Sequence, residues 1–228
     1  GHLKMNDSIT IKQAVEILKQ DGILTEVSCP DEMLDHPFDY LSYSSSDVKE
    51  NTFFICKGAA FKEEYLLDAV KKGAGAYLAE KCFTKTVPYI LTSDIRKAMS
   101  LVAIAFYREA YKSFRLIGLT GTKGKTTTTY MVKSILESAG IKTGLIGTIE
   151  SIVGDKRTPA ANTTPESYKV QELFAQMVDE GLDAVVMEVS SQALMLHRVS
   201  GFTFDIGVFT NLEPDHIGEN EHKDFEDY

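Results

Sequence analysis

A short apolar stretch, Phe114–Leu119 (FRLIGL), runs into Thr120-Gly121-Thr122-Lys123-Gly124-Lys125-Thr126-Thr127, and a helix-like stretch from Lys125 to Ala139 follows, stopped at Gly140. This succession of strand, glycine turn and helix constrains the fold more than any other feature of the 228 residues. Glycines allow a tight turn and let peptide N–H groups approach an anion closely, while the helix N-terminus behind them adds positive potential. Lys125 is spaced to reach terminal phosphates, and Thr126 to offer its hydroxyl to Mg²⁺. The general phosphate-loop pattern carries glycine five residues before Gly124. Here Leu119 stands there and Gly118 lies one step off, so the loop is a G-T-K-G-K-T-T variant. The plain alternative is a glycine turn before a helix, with no ligand.

Strands and helices alternate on both sides of the loop. Upstream, helical spacing covers Ile9–Leu18 (with Ser8 or Thr10 as cap), Lys62–Lys72 and Asp94–Tyr107, and short apolar runs predict strands at Thr52–Cys56, Ala76–Ala79 and Val87–Leu91. Downstream come a strand over Lys142–Thr148, a turn at Val153–Lys156, and a helix over Pro165–Glu180 with Thr164 as N-cap and Pro165 in its first position. Asp183–Val189 and Phe204–Phe209 are continuous apolar runs, expected for strands buried on both faces of a parallel sheet. The pattern predicts an α/β protein: an N-terminal α/β domain followed by a truncated, doubly wound, mostly parallel sheet whose ligand site lies beyond the strands' carboxyl ends. Residues 1–4 read as a cloning scar, 5–112 as the first domain and 113–228 as the second. The small second block, with no stop signal over residues 222–228, reads as a truncated protein.

Composition narrows the classes. Hydrophobic residues at 43% and charged residues at 25% are ordinary for a globular chain. A net charge of -9 argues against holding nucleic acid by bulk electrostatics, although a local nest can still take small anions. Cys29, Cys56 and Cys82 are odd in number and lack a CxxC pair, which disfavours a disulfide framework or a zinc site. The sequence shows neither an apolar run long enough to span a membrane nor a signal peptide, so a cytoplasmic setting is expected.

Three further motifs carry chemistry. Glu188 sits at the carboxyl end of a buried strand in Met187-Glu188-Val189-Ser190-Ser191-Gln192, where a hard oxygen ligand suits Mg²⁺; alternatively, Ser190 or Ser191 caps a helix and Glu188 is solvated. Asp215-His216 follows another such strand, and His216 is either a metal ligand or a turn histidine. Asn162-Thr163-Thr164-Pro165 is a capped helix start whatever else it does. Each is ambiguous alone, and their common position at strand ends and helix starts is what persuades.

Taken in order, Gly121–Thr127, Asn162–Glu166, Met187–Gln192, His197–Val199 and Asn211–His216 resemble the Mur ligases, in the branch that adds the third peptide residue of the peptidoglycan precursor. Lys57–Phe61, Gly121–Lys123 and Asp215–Gly218 are similar to its lysine-adding members. The resemblance implies three domains: an N-terminal UDP-sugar-binding domain, a central ATPase domain, and a C-terminal amino-acid-binding domain absent from this chain. It implies ATP and Mg²⁺ as cofactors and UDP-N-acetylmuramoyl-L-alanyl-D-glutamate and L-lysine as substrates, with the lysine site, and hence its selectivity, in the absent domain. In the implied reaction ATP phosphorylates the D-glutamate carboxylate, the incoming amine attacks the acyl phosphate, and a tetrahedral intermediate collapses to amide.

Carried over by position, Gly121, Thr122, Lys123, Gly124, Lys125, Thr126 and Thr127 bind ATP; Thr126, Glu188 and His216 hold Mg²⁺; Lys125, Glu188 and His216 are the catalytic set. Ser45, Asn162, Thr163, Thr164, Ser190 and Arg198 hold the UDP-sugar dipeptide. Ser45 lies in Ser44-Ser45-Ser46, where the family carries Asp-Ser-Arg, and Leu196 replaces a polar ligand of some relatives. The metal-bridging carbamylated lysine of the family falls beyond Tyr228, so the chain alone is expected not to catalyse ligation. A monomer that engages neither nucleic acid nor membrane is expected. The alternatives are a ligase like folylpolyglutamate synthetase, which the first block and the Asn-Thr-Thr-Pro run oppose, and a non-catalytic UDP-sugar- or nucleotide-binding module. A P-loop GTPase or kinase would want base-reading or lid motifs that the sequence lacks.

Overall fold

A computed structural model describes residues 7–160, 166–190 and 201–211, which fall into units ending at Arg108 and beginning at Glu109. The first unit holds α1 (Ile11–Gln20), β1 (Leu24–Ser28), β2 (Tyr40–Ser42), β3 (Thr52–Ile55), α2 (Glu63–Lys71), β4 (Ala74–Ala79), β5 (Tyr89–Thr92) and α3 (Ile95–Phe106). Of the two caps offered for α1, Thr10 is used: its hydroxyl accepts the Gln13 N–H at 3.1 Å, and the Gln13 side chain accepts the Thr10 N–H at 2.9 Å. Asp94 caps α3 through the Lys97 N–H at 3.1 Å. The sheet runs β1-β5-β4-β3-β2, with β2 to β5 parallel and β1 antiparallel at its edge. Phe54, Leu66, Tyr77 and Tyr89 share its core. The sequence reading lacks β1 and β2, and both are edge strands, so neither needs the apolar run that marks a central one.

In the second unit come β6 (Arg115–Thr120), α4 (Lys125–Ser138), β7 (Thr143–Ile146), β8 (Glu150–Val153), β9 (Lys156–Pro159), α5 (Ser167–Asp179), β10 (Ala184–Glu188) and β11 (Ile206–Phe209). Its sheet order is β11-β6-β10-β7-β8-β9, parallel from β11 to β7 and antiparallel beyond. Chain order differs from sheet order, and β10 enters between β6 and β7, as a doubly wound sheet requires. Val132 and Leu136 of α4 pack on Ile117, Leu119 and Val186.

One expectation holds in an unforeseen setting, and two need correction. The turn at Val153–Lys156 is the tip of an unforeseen hairpin, β8–β9, whose outer strand KRTP is exposed throughout and so carries no apolar signal. Helix α5 starts at Ser167, because Glu166 at the cap position has an extended backbone (ψ 150°); Pro165 therefore cannot be its first residue, while Thr164 and Pro165 themselves lie outside the described residues. Strand β10 is buried along its length, whereas Ile206 and Phe209 of β11 are 54% and 63% exposed. Among the described residues β11 is the edge of the sheet, which leaves its side chains less covered than those of a central strand.

One polar side chain is out of place in this core. Gln171 on α5 is fully buried, and among the described residues its amide nitrogen and oxygen have no hydrogen-bond partner. An unmet buried polar group costs about 1–3 kcal/mol, so the volume-conserving Gln171→Met should raise the unfolding free energy by about 1 kcal/mol. Urea denaturation checks this, and a lowered midpoint would show that the amide contributes something the core packing does not reveal.

Candidate functional site

The turn after β6 is built on two glycines with positive φ, Gly121 at +137° and Gly124 at +86°. At Gly121 glycine is also required by space: a Cβ there would overlap the Thr210 hydroxyl and lie 3.0 Å from the Asn211 backbone. Gly124 occupies the cap position of α4, so Lys125, Thr126 and Thr127 open the helix, where N–H groups have no acceptor four residues earlier. The Lys125 ammonium folds back and donates to the Gly121 carbonyl at 2.6 Å.

Parallel pairing brings in the second motif. Glu188, last residue of β10, stands in register with Leu119 of β6, one residue before the loop-bearing end of that strand. Its carboxylate is buried at 1% exposure and accepts from the Thr126 hydroxyl at 3.0 Å. It also accepts the Thr148 N–H at 2.7 Å and the Thr148 hydroxyl at 3.1 Å. Gly147 makes room for it, since a Cβ there would lie 2.6 Å from Glu188 Oε2. One turn along α4, Tyr130 donates to Glu150 at 2.9 Å; burial first, then this bond, raises its hydroxyl pKa, with the Glu188 charge a smaller contributor. The result is a glycine loop, an ammonium, a hydroxyl and a carboxylate converging at the carboxyl ends of β6 and β10. Chemically it can cradle a polyphosphate and hold a hard divalent cation.

Of the residues singled out from the sequence, Gly121–Thr127 and Glu188 are thus brought together, and Ser190 follows half-buried beyond the same strand end. Ser45 lies in the first unit, on a cavity of about 390 Å³ lined also by Tyr43, Lys57, Phe61 and Tyr65. Lys57 stands over the Tyr43 ring at 4.5 Å from its centre, and Ser45 is further held by its carbonyl, which accepts from Lys72 at 2.8 Å. Asn162, Thr163, Thr164, Arg198 and His216 lie outside the described residues. Among the described residues no group of three or more His, Cys, Asp or Glu clusters to hold a metal ion. Sequence reading assigned no role to Gly147, Thr148, Thr210 or Asn211. The usable signal for the first pair was a Gly-Thr step just past a predicted parallel strand, where such sheets place ligands.

Comparison with known proteins adds lineage. The model of the Mur ligase middle domain matches residues 119–228. The UDP-N-acetylmuramoyl-L-alanyl-D-glutamate--L-lysine ligase of Streptococcus pneumoniae (serotype 2, strain D39) is 44% identical over 227 residues, covering 96% of this chain and 47% of that protein. The chain therefore spans about half the length of the curated relatives it matches. Among solved structures, a UDP-N-acetylmuramoyl-L-alanyl-D-glutamate--2,6-diaminopimelate ligase superposes with a TM-score of 0.78 at 22% identity, over 97% of this chain and 43% of that one. A MurF ligase from Thermotoga maritima in complex with ADP gives a TM-score of 0.56 at 22% identity, over 78% and 38% of the two chains. These two establish likeness of fold: mixed α/β with parallel sheets.

Proposed function

Since the chain belongs to the Mur ligase family, we propose that it carries the nucleotide site and the UDP-sugar site of an ATP-dependent ligase that joins L-lysine to UDP-N-acetylmuramoyl-L-alanyl-D-glutamate in peptidoglycan synthesis. The observation that carries this reading is the 3.0 Å contact between Thr126 and the buried Glu188 beside the glycine loop. Two distant motifs meet there to make one phosphate and cation site.

In this reading the N–H groups from Gly121 to Thr127 cradle the phosphates of ATP, and Lys125 exchanges its loop carbonyl for phosphate oxygen. Thr126 and Glu188 would hold Mg²⁺ with His216. The described donors fit, because Mg²⁺ takes one or two carboxylates, a hydroxyl and substrate phosphates rather than an all-protein cage. When bound, the ion offsets negative charge on donor phosphate and acceptor carboxylate, which otherwise repel. Ser190, with Asn162, Thr163, Thr164 and Arg198, would hold the sugar dipeptide so that its D-glutamate carboxylate lies in line with the transferred phosphate; positioning of this kind supplies much of such an acceleration. Ser45 would contact the uridine side, in a cavity whose aromatic rings and Lys57 suit a planar base bearing phosphates. A net charge of -9 speaks against holding nucleic acid by bulk electrostatics, and among the described residues no helix is long and apolar enough to cross a membrane.

Calorimetric titration tests the assignment. Mg·ATP and UDP-N-acetylmuramoyl-L-alanyl-D-glutamate should each bind the chain, and binding of a folate in place of the sugar nucleotide would overturn it. A subtler check is Gly147→Ala. Its Cβ must push the Glu188 carboxylate aside, so Mg·ATP should bind about fivefold more weakly while folding stability falls by less than about 1 kcal/mol. Undiminished affinity would mean that the carboxylate's position is immaterial.

A further inference from the structure

The glycine loop is braced from outside itself. Strand β11 pairs in parallel with β6, Phe209 opposite Thr120, and the Thr210 N–H donates to the Thr120 carbonyl at 2.9 Å. That register sets Thr210 and Asn211 against the turn. The Asn211 side-chain oxygen accepts the Thr122 N–H at 3.1 Å and the Lys123 N–H at 2.9 Å, while its NH₂ donates to the Lys123 carbonyl at 2.9 Å. The Thr210 hydroxyl donates to the same carbonyl at 2.8 Å. Acceptor faces two donors and donor faces an acceptor, so a flipped amide would set NH₂ against two N–H groups. Gly121 completes the fit by having no Cβ to keep Thr210 away.

We infer that Asn211, seconded by Thr210, is a positioning residue of the nucleotide site, holding Thr122 and Lys123 in place so that the N–H groups of Lys125, Thr126 and Thr127 are aimed before a ligand arrives. The loop thereby has two halves: the first donates to the protein, and the second is presented to the phosphates. Neither Asn211 nor Thr210 need touch the nucleotide; both act through the loop backbone. Affinity follows from ordering the loop in advance, since a flexible loop would lose that entropy on binding. The inference rests on the nucleotide reading above and deepens it.

The test is titration of Mg·ADP into the chain and its variants, with the backbone amide signals of Thr122 and Lys123 followed by NMR. Asn211→Ala should weaken binding about tenfold and Thr210→Val about threefold, while Thr210→Ser, which keeps the hydroxyl, should stay within about twofold of the parent. In Asn211→Ala the Lys123 amide should lose protection from exchange, whereas the Thr122 N–H, which also donates to the Asn211 main-chain carbonyl at 3.2 Å, keeps that acceptor and should change less; in Thr210→Ser both amides should keep their protection. Parental affinity in Asn211→Ala, or parental exchange at the Lys123 amide, overturns the inference. If Asn211→Ala fails to fold, the Thr210 pair decides alone: equal affinity of the Val and Ser variants overturns it. Lys125→Ala separates the two levels. Weak binding there with parental binding in Asn211→Ala removes only the brace, whereas parental binding in Lys125→Ala removes the nucleotide site itself.

Discussion

Lys125→Ala should weaken Mg·ATP binding by about 100-fold, the equivalent of about 2.7 kcal/mol. In the structure the ammonium is satisfied by the Gly121 carbonyl at 2.6 Å, a contact within its own loop. Exchange of that neutral acceptor for a phosphate oxygen adds a full negative charge opposite the ammonium, turning the bond into an ion pair. The alanine variant loses the bond and leaves phosphate charge uncompensated at the helix start. Folding should change little, because the stem is only half-buried. Lys125→Met keeps that stem and should bind as poorly as alanine, which separates charge from packing. Calorimetry at fixed ionic strength reads the effect, and retention of affinity in both variants would remove the loop from the site.

Glu188 should show a different pair of outcomes. In Glu188→Ala the Thr148 N–H and the Thr126 and Thr148 hydroxyls all lose a charged acceptor, so the second unit should be destabilised by about 2–3 kcal/mol. Glu188→Gln keeps the shape: its amide oxygen can face the Thr148 N–H while its NH₂ donates to either hydroxyl. Stability should therefore recover to within about 1 kcal/mol of the parent. What glutamine cannot restore is charge. The gain in ATP affinity on adding Mg²⁺, expected to be about tenfold or more in the parent, should shrink below about twofold in Glu188→Gln. Urea denaturation and titrations with and without Mg²⁺ give the two readings. A glutamine variant with full Mg²⁺ dependence would show that the carboxylate is a structural acceptor and nothing more.

The central strands other than β8, and the helices, were legible because each carries its own local signal. Thr52–Ile55 is an apolar run, α1 has its cap and spacing, and the glycine turn at Gly121–Gly124 announces itself by composition. Strands β1, β2 and β9 were not, since an edge or solvent-facing strand is held by backbone pairing and needs no apolar code; β8, an inner strand buried over Ser151–Val153, was missed as well, its apolar run being only two residues long. Strand β11 was recognised as a strand but misjudged in burial, because an apolar run does not say whether neighbours exist on both sides.

Lys125, Thr126 and Glu188 were marked out by residue type and by place at a strand end or helix start, properties that a few consecutive residues contain. Their meeting was not so contained. Thr148, Thr126 and the loop amides reach their partners across 40, 62 and 88 residues, distances set by β10 entering between β6 and β7 and by β11 pairing outside β6. Strand order and register come from burying whole faces of the sheet at once, a cooperative outcome that short-range patterning cannot express. So the ingredients of the phosphate site are written along the chain, while Gly147, Thr148 and the brace by Thr210 and Asn211 exist as functional features only once the sheet has closed its ranks around them.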